Sequence, residues 1–224
     1  MNFEPLVLTF KLASIATLIL FGLALPLSYW LAYSRFRGKV LVEAIIGMPL
    51  VLPPSVLGFY LLLAFSPGYF FGAWIEEIIG LRLVFSFPGL VVASVIYSLP
   101  FMVYPLQAGL QALPVSLREA SYTLGKTPWT TFFKVLLPNA KSAILTAIVL
   151  TFAHTVGEFG VVLMIGGNIP GVTRVASLAI YNEVEALNYS AANQYALVLF
   201  VITFAILLLV YSVNNRLFRV RHPA

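Results

Sequence analysis

Five long apolar runs decide what this chain can fold into: about 9–33, 40–65, 87–111, 139–165 and 194–217. Each holds the roughly 20 mostly apolar residues that a helix needs to cross a bilayer. In hydrocarbon every backbone N–H and C=O must find its partner within the protein, so lipid-facing runs of this length are helices. The expectation is an all-α integral membrane protein with five transmembrane helices, forming a single transmembrane domain over residues 1–224. Charged residues make up 9% of the chain, against about 25% in soluble domains, and no stretch between runs is long enough to close a core of its own. The segment from Pro67 to Leu83 carries Gly68, Gly72, Gly80, Glu76, Glu77 and Arg82 and reads as an interfacial hairpin or short helix. The first run lacks a basic lead-in and a small-residue cleavage site, so it reads as a retained span. With no cysteines, disulfides and thiol chemistry are excluded.

Charge asymmetry sets the direction of threading. Placing the 113–138 loop in the cytoplasm puts Arg35, Arg37, Lys39, Arg118, Lys126, Lys134, Lys141, Arg216, Arg219 and Arg221 on that side, and only Lys11, Arg82 and Arg174 on the other. An excess of Lys and Arg in cytoplasmic loops is the general rule. The N-terminus is therefore expected outside and the C-terminus in the cytoplasm. The same distribution explains the positive net charge without nucleic acid.

The loop between the third and fourth runs is the longest segment neither apolar nor turn-like. Pro114 suits the first turn of a helix, Gly125 the left-handed residue past its end, and Thr127-Pro128 the N-cap and first residue of a second short helix that Pro138 closes. Glu119-Ala120-Ser121, three residues, Gly125, nine residues and Val135-Leu136-Leu137-Pro138 match this loop to the EAA loop of ABC importer permeases. Ser121 and Val135 depart from the usual Ala and Ile by small, shape-preserving changes. The resemblance implies the type I (MetI-like) importer permease fold. It also implies that Glu119, Ala120, Ser121, Gly125, Lys126, Thr127, Leu137 and Pro138 belong to the segment that docks on a separate cytoplasmic ATPase. An amphipathic pair of capped helices is the plainer reading of the same residues.

Two features lie within apolar runs. Pro49, Pro53 and Pro54 cannot share one straight helix, because each removes an intrahelical hydrogen bond. Pro53 falls about 20 Å along from Lys39, past the bilayer centre, where irregular backbone is tolerated only against protein or a water-filled cavity. Pro53, Pro54, Ser55 and Gly58 are thus candidates for a translocation pathway, with a packing kink as the alternative. In the fourth run, Glu158 is read as the acid of the span interiors, about 28 Å from Asn139, with His154 one turn below it on the same face. Ionisable groups at such depth mark functional sites by default, which adds His154, Gly157 and Glu158 to the pathway or gate. A carboxylate repels an anion, so Glu158 is expected to pair with a base, Arg174 or His154, or to cap a loop.

Pro-Leu-Val-Leu-Pro-Pro (49–54), Gly-Glu-Phe-Gly (157–160) and Asn-Ile-Pro-Gly-x-Thr-Arg (168–174) resemble segments of molybdate permeases. The resemblance implies an ATP-driven importer of molybdate, or of tungstate, sulfate or another oxyanion, in a bacterial or archaeal plasma membrane. Its partners would be a second copy of the chain, two ATPase subunits and an external molybdate-binding protein, the last meeting Asn168, Pro170 and Arg174. Gly125-Lys126-Thr127 is no phosphate loop, since Ala120 stands where that motif needs glycine. No catalytic set, metal or cofactor is expected, and the energy source is a partner. An ion-coupled carrier or channel is the reading from another class.

Overall fold

The computed structural model describes residues 2–218. Arg219, Arg221 and His222 of the basic tail lie outside the described residues, as does the side chain of Arg216. All regular structure among the described residues is helical. The first helix, α1 (Glu4–Tyr33), places Glu4 and Pro5 in its first turn, where negative charge and a missing N–H both suit unpaired backbone donors. It packs most extensively along α5 (Phe87–Gln111), whose N-cap Ser86 accepts from the Gly89 N–H at 3.2 Å. Against α5 lies α9 (Lys141–Val156), with backbones so close that a Cβ on Gly109 would sit 2.1 Å from that of Ala143. Leu20, Ala24, Leu31, Met102, Val103, Leu106 and Ala147 fill this three-helix junction.

The second apolar run is two helices, α2 (Lys39–Val51) and α3 (Pro54–Phe65), which meet at 112°. Leu52 and Pro53 are extended there (ψ 135° at both), and neither Pro53 nor Pro54 has an N–H to carry a helical ladder through. The segment from Pro67 to Leu83 holds α4 (Phe70–Ile79), closed by left-handed Gly80. The fourth run, expected as one span over 139–165, is also broken. Its first helix, α9, ends at Val156, residues 157–159 leave helical geometry, and α10 (Gly160–Gly166) follows. Hydrogen bonds from side chains on other elements hold Glu158 in that gap, as described below.

Among the described residues, three helices are long and apolar enough to cross a membrane unbroken: α1, α5 and the Tyr189–Ser212 part of α12 (Tyr189–Phe218). The number reaches five when each bent pair, α2 with α3 and Pro128–Asn139 with α9, is taken as one crossing. A further short helix, α11 (Ala176–Glu185), packs on α12 and α1.

The 113–138 loop folds as α6 (Val115–Thr123), then α7 (Pro128–Thr131), a π-helical turn (Phe132–Leu136) and α8 (Leu137–Asn139). Pro114 stands one residue earlier than expected, as the N-cap of α6. Pro138 does not close the second helix, which runs on to Asn139. In the π turn Leu137 N–H reaches back to the Phe132 carbonyl. That wider register relieves the crowding a proline ring causes in an α-helix. The Asn139 side chain then donates to the Val135 carbonyl at 2.7 Å.

Candidate functional site

The loop helices are held to each other from within. Gly125, at φ +71°, donates to the Tyr122 carbonyl at 2.9 Å, and Lys126 N–H reaches Ser121 O at 3.1 Å. These are the two bonds of a Schellman end, which needs a left-handed residue at Gly125. Thr127 caps the second helix through its hydroxyl, which accepts from Thr130 N–H at 3.2 Å, with Pro128 next. Buried Ser121 shares a 2.8 Å hydroxyl contact with Thr131, tying the helices together from inside. Glu119, Ala120, Lys126, Thr127 and Pro138 are exposed, Leu137 is half-buried, and the indole of Trp129 stands 67% exposed beside them. A short helical pair thus offers the acid Glu119, the bases Lys126 and Lys134, and exposed aromatic rings on its outer face.

The two breaks meet at a cavity of about 580 Å³ whose lining includes Pro54, Ser55, Tyr97, His154, Gly157 and Glu158. Gly160 makes this possible: a Cβ there would lie 2.8 Å from Pro54 Cβ and 3.1 Å from Ser55 N. The reciprocal contact is at Gly58, where a Cβ would meet Met164 Cβ at 2.8 Å and Val161 Cα at 3.0 Å. Gly58 therefore belongs to the α3–α10 seam and does not line the cavity, and Pro53 sits at the bend outside the lining.

Glu158 is 4% exposed. Ser94 Oγ donates to its Oε2 at 2.7 Å and Ser177 Oγ to its carbonyl at 2.6 Å, while Oε1 has no partner among the described residues. Neither expected base reaches it. Arg174 donates instead to Asn168, through Nε to Oδ1 at 3.0 Å and Nη2 to the carbonyl at 3.3 Å. His154 stacks on Phe101, with ring centroids 3.9 Å apart, and its Nδ1 lies 2.9 Å from Ser98 Oγ. The helical spacing of His154 and Glu158 fails because α9 ends between them, although both line the cavity. Away from the cavity, Asn168 is itself left-handed (φ +57°) and donates to Asn182 at 2.6 Å, so Arg174, Asn168 and α11 form one cluster beside Pro170.

Sequence reasoning missed Ser94, Ser98, Ser177 and Tyr97, which no local pattern marks. It also missed an acid within the second run. Glu43 lies in α2, where Gln107 Nε2 donates to its Oε1 at 2.7 Å and Lys39 Nζ stands at 3.7 Å. The Lys39–Glu43 spacing of four was the available signal.

The profile of the family described as "Binding-protein-dependent transport system inner membrane component" matches residues 24–219. The chain is 48% identical over 206 residues to the molybdenum transport system permease protein ModB of Azotobacter vinelandii, covering 92% of this chain and 91% of that one. It is 36% identical over 195 residues to the sulfate transport system permease protein CysT of Escherichia coli K12, covering 87% and 68% respectively. Among solved structures, the MetNI methionine ABC transporter in an inward-facing conformation aligns with a TM-score of 0.75 at 19% identity, over 96% of this chain and 95% of that one. A bacterial ABC transporter that imports the acidic polysaccharide alginate aligns with a TM-score of 0.80 at 16% identity, over 96% and 79%. Those last two likenesses are of fold: the helices are arranged as in an ABC importer permease.

Proposed function

The chain belongs to the family of inner membrane components of binding-protein-dependent transport systems, and from that footing we propose that it is the permease subunit of an ATP-driven molybdate importer. The observation that carries the substrate is the extent of its identity with a molybdenum permease, which exceeds that with the sulfate permease over a larger share of the chain. Two copies would form the pathway about a two-fold axis. Two ATPase subunits would lie on the cytoplasmic side, under the 113–138 loops, and a molybdate-binding protein would meet the Asn168–Arg174 cluster outside. The N-terminus is then external, and the membrane is a bacterial or archaeal plasma membrane.

The mechanism that suits these parts is alternating access. ATP binding draws the ATPases together, each α6–α8 segment moves with its groove, and the spans swing between inward- and outward-open forms. Nucleotide shifts that equilibrium only through unequal binding to the two forms. Glu119 serves as the polar anchor and Gly125 as the turn that fixes the pair of helices. In the cavity the hydroxyl and backbone N–H of Ser55, in the first turn of α3, present donors to a passing oxyanion, while the Val56 and Leu57 N–H groups are taken by the Pro53 carbonyl. The acid of the same wall is fixed by Ser94, which donates to its Oε2 at 2.7 Å.

The deciding experiment is uptake by proteoliposomes holding this chain, its ATPase and its binding protein, with labelled molybdate, tungstate and sulfate compared. Molybdate uptake that vanishes without the ATPase is the expected outcome. Preferential sulfate or tungstate uptake would keep the transporter class and replace the substrate, and movement with no ATPase present would overturn the reading.

A further inference from the structure

A second cavity, of about 310 Å³, opens where α1 ends, α2 begins and α6 starts; Tyr33, Arg35, Lys39, Gln111, Val115 and Arg118 are among its walls. Three cations reach it from three separate elements: the turn after α1, the first residue of α2 and the middle of α6. One acid answers them. Glu43 lies 3.7 Å from Lys39 and is shared with Gln107, which leaves an excess of two positive charges (three cations less one acid). The Arg118 guanidinium is 4.6 Å from the centre of the Tyr33 ring, and the Tyr33 hydroxyl is fixed on the Leu110 carbonyl at 2.8 Å. The N-cap of α6 is Pro114, which has no side-chain acceptor, so the first N–H groups of that helix also lack a cap at the cavity wall.

The chain next to these walls is apolar. Val115 of the lining is 61% exposed, and Val40 and Leu41, which follow Lys39, are 74% and 66% exposed. Trp30, three residues before Tyr33, packs on Phe36, the neighbour of Arg35, with ring centroids 4.7 Å apart. Exposed tryptophan rings mark the level where hydrocarbon gives way to head groups. A hydrated free anion gains nothing from such apolar neighbours, whereas a lipid has a charge for the cationic walls and chains for the apolar surface. Other cations at this end, Lys126, Lys134 and Lys141, stand exposed outside the cavity.

We propose that this cavity binds the phosphate of an anionic phospholipid head group, one per chain. Basic pockets between helices at a membrane face are a recurrent way of holding such lipids. The lipid would clamp α6 against the ends of α1 and α2, so the position of the coupling loop would depend on membrane composition. Assigning it to the cytoplasmic leaflet rests on the orientation proposed above; the binding rests on the cavity.

The test is native mass spectrometry of the permease–ATPase complex released from nanodiscs of phosphatidylcholine and phosphatidylglycerol. Retained phosphatidylglycerol should fall roughly thirtyfold in Arg35→Gln/Lys39→Gln and roughly fivefold in Arg35→Gln alone. It should hold in Arg35→Lys/Lys39→Arg, and in Lys141→Gln, which removes a cation from the same end but outside the cavity. The single variant decides the matter if the double one does not assemble. Equal retention in the neutralised variants overturns the proposal. Displacement of the lipid by millimolar inorganic phosphate or molybdate would put a free oxyanion in the cavity and overturn the lipid assignment. None of these readouts requires transport, so they stand apart from the identity of the substrate.

Discussion

A single serine hydroxyl holds the acid at the cavity wall. Ser94 donates to Glu158 from a helix more than sixty positions away in sequence, so Ser94→Ala leaves both carboxyl oxygens without a protein donor. The variant should lose about 1–3 kcal/mol of stability, read as a lower melting temperature in detergent, whereas Ser94→Thr should recover most of it. Gly58→Val should cost about 1–3 kcal/mol for a different reason, overpacking against Met164 and Val161, again measured by thermal unfolding. At this scale the sequence disclosed Glu158 because an acid in an apolar run is expensive and therefore conspicuous. Its partners stayed hidden because serine is an unremarkable residue in a membrane helix, and because pairing it with His154 assumed that the helix continued past Val156.

Elements were most legible where their cause is local. Gly125, Thr127 and Pro128 act within one turn of themselves, and the left-handed turn and the N-cap fall where those residues stand. Pro138 misled because a proline's usual stop signal assumes α register, and the preceding π turn changes that register. The fourth run misled because its apolar composition says nothing about a backbone gap closed by Ser94 and Ser177 from elsewhere. Two outcomes follow for the loop. Gly125→Val, a β-branched residue at positive φ, should abolish ATP-dependent uptake while leaving the protein inserted, and Gly125→Asn should keep a substantial part of it. Ser121→Ala should cost about 1 kcal/mol by orphaning Thr131, and Ser121→Ala/Thr131→Val should return part of that loss, as an unfolding double-mutant cycle would show.

For the whole molecule, hydropathy alone gave helices and approximate crossings, because lipid leaves the backbone few choices. It could not tell straight crossings from bent ones, and it could not say which exposed faces meet lipid. Val51 and Tyr60, on the bent second run, and Phe200 and Phe204, on α12, are all exposed in the single chain. The proposed dimer covers one such face, so native mass measurement of the assembled complex should find two permease chains with two ATPases. The chain has no cysteine of its own, which makes Ser55→Cys a clean reporter of the cavity. A membrane-impermeant thiol reagent added outside should label it faster with ATP bound and hydrolysis blocked than without nucleotide.

The two gaps in the apolar runs have a mechanical corollary. Gly58 and Gly160 press α3 and α10 together at near-backbone distance, so these two half-length helices behave as a single welded plate. At one end the plate meets α2 and α9 through short non-helical links, residues 52–53 and 157–159. The first residues of these links still donate back into those helices, Leu52 to Met48 O at 3.0 Å and Gly157 to Ala153 O at 3.2 Å. Its inner face packs on α5 through Val161, Val162 and Ile165, and Phe85 N–H donates to the Ile165 carbonyl at 2.9 Å. Any turn at the links carries or breaks that packing and moves both links together, and the cavity lies between them.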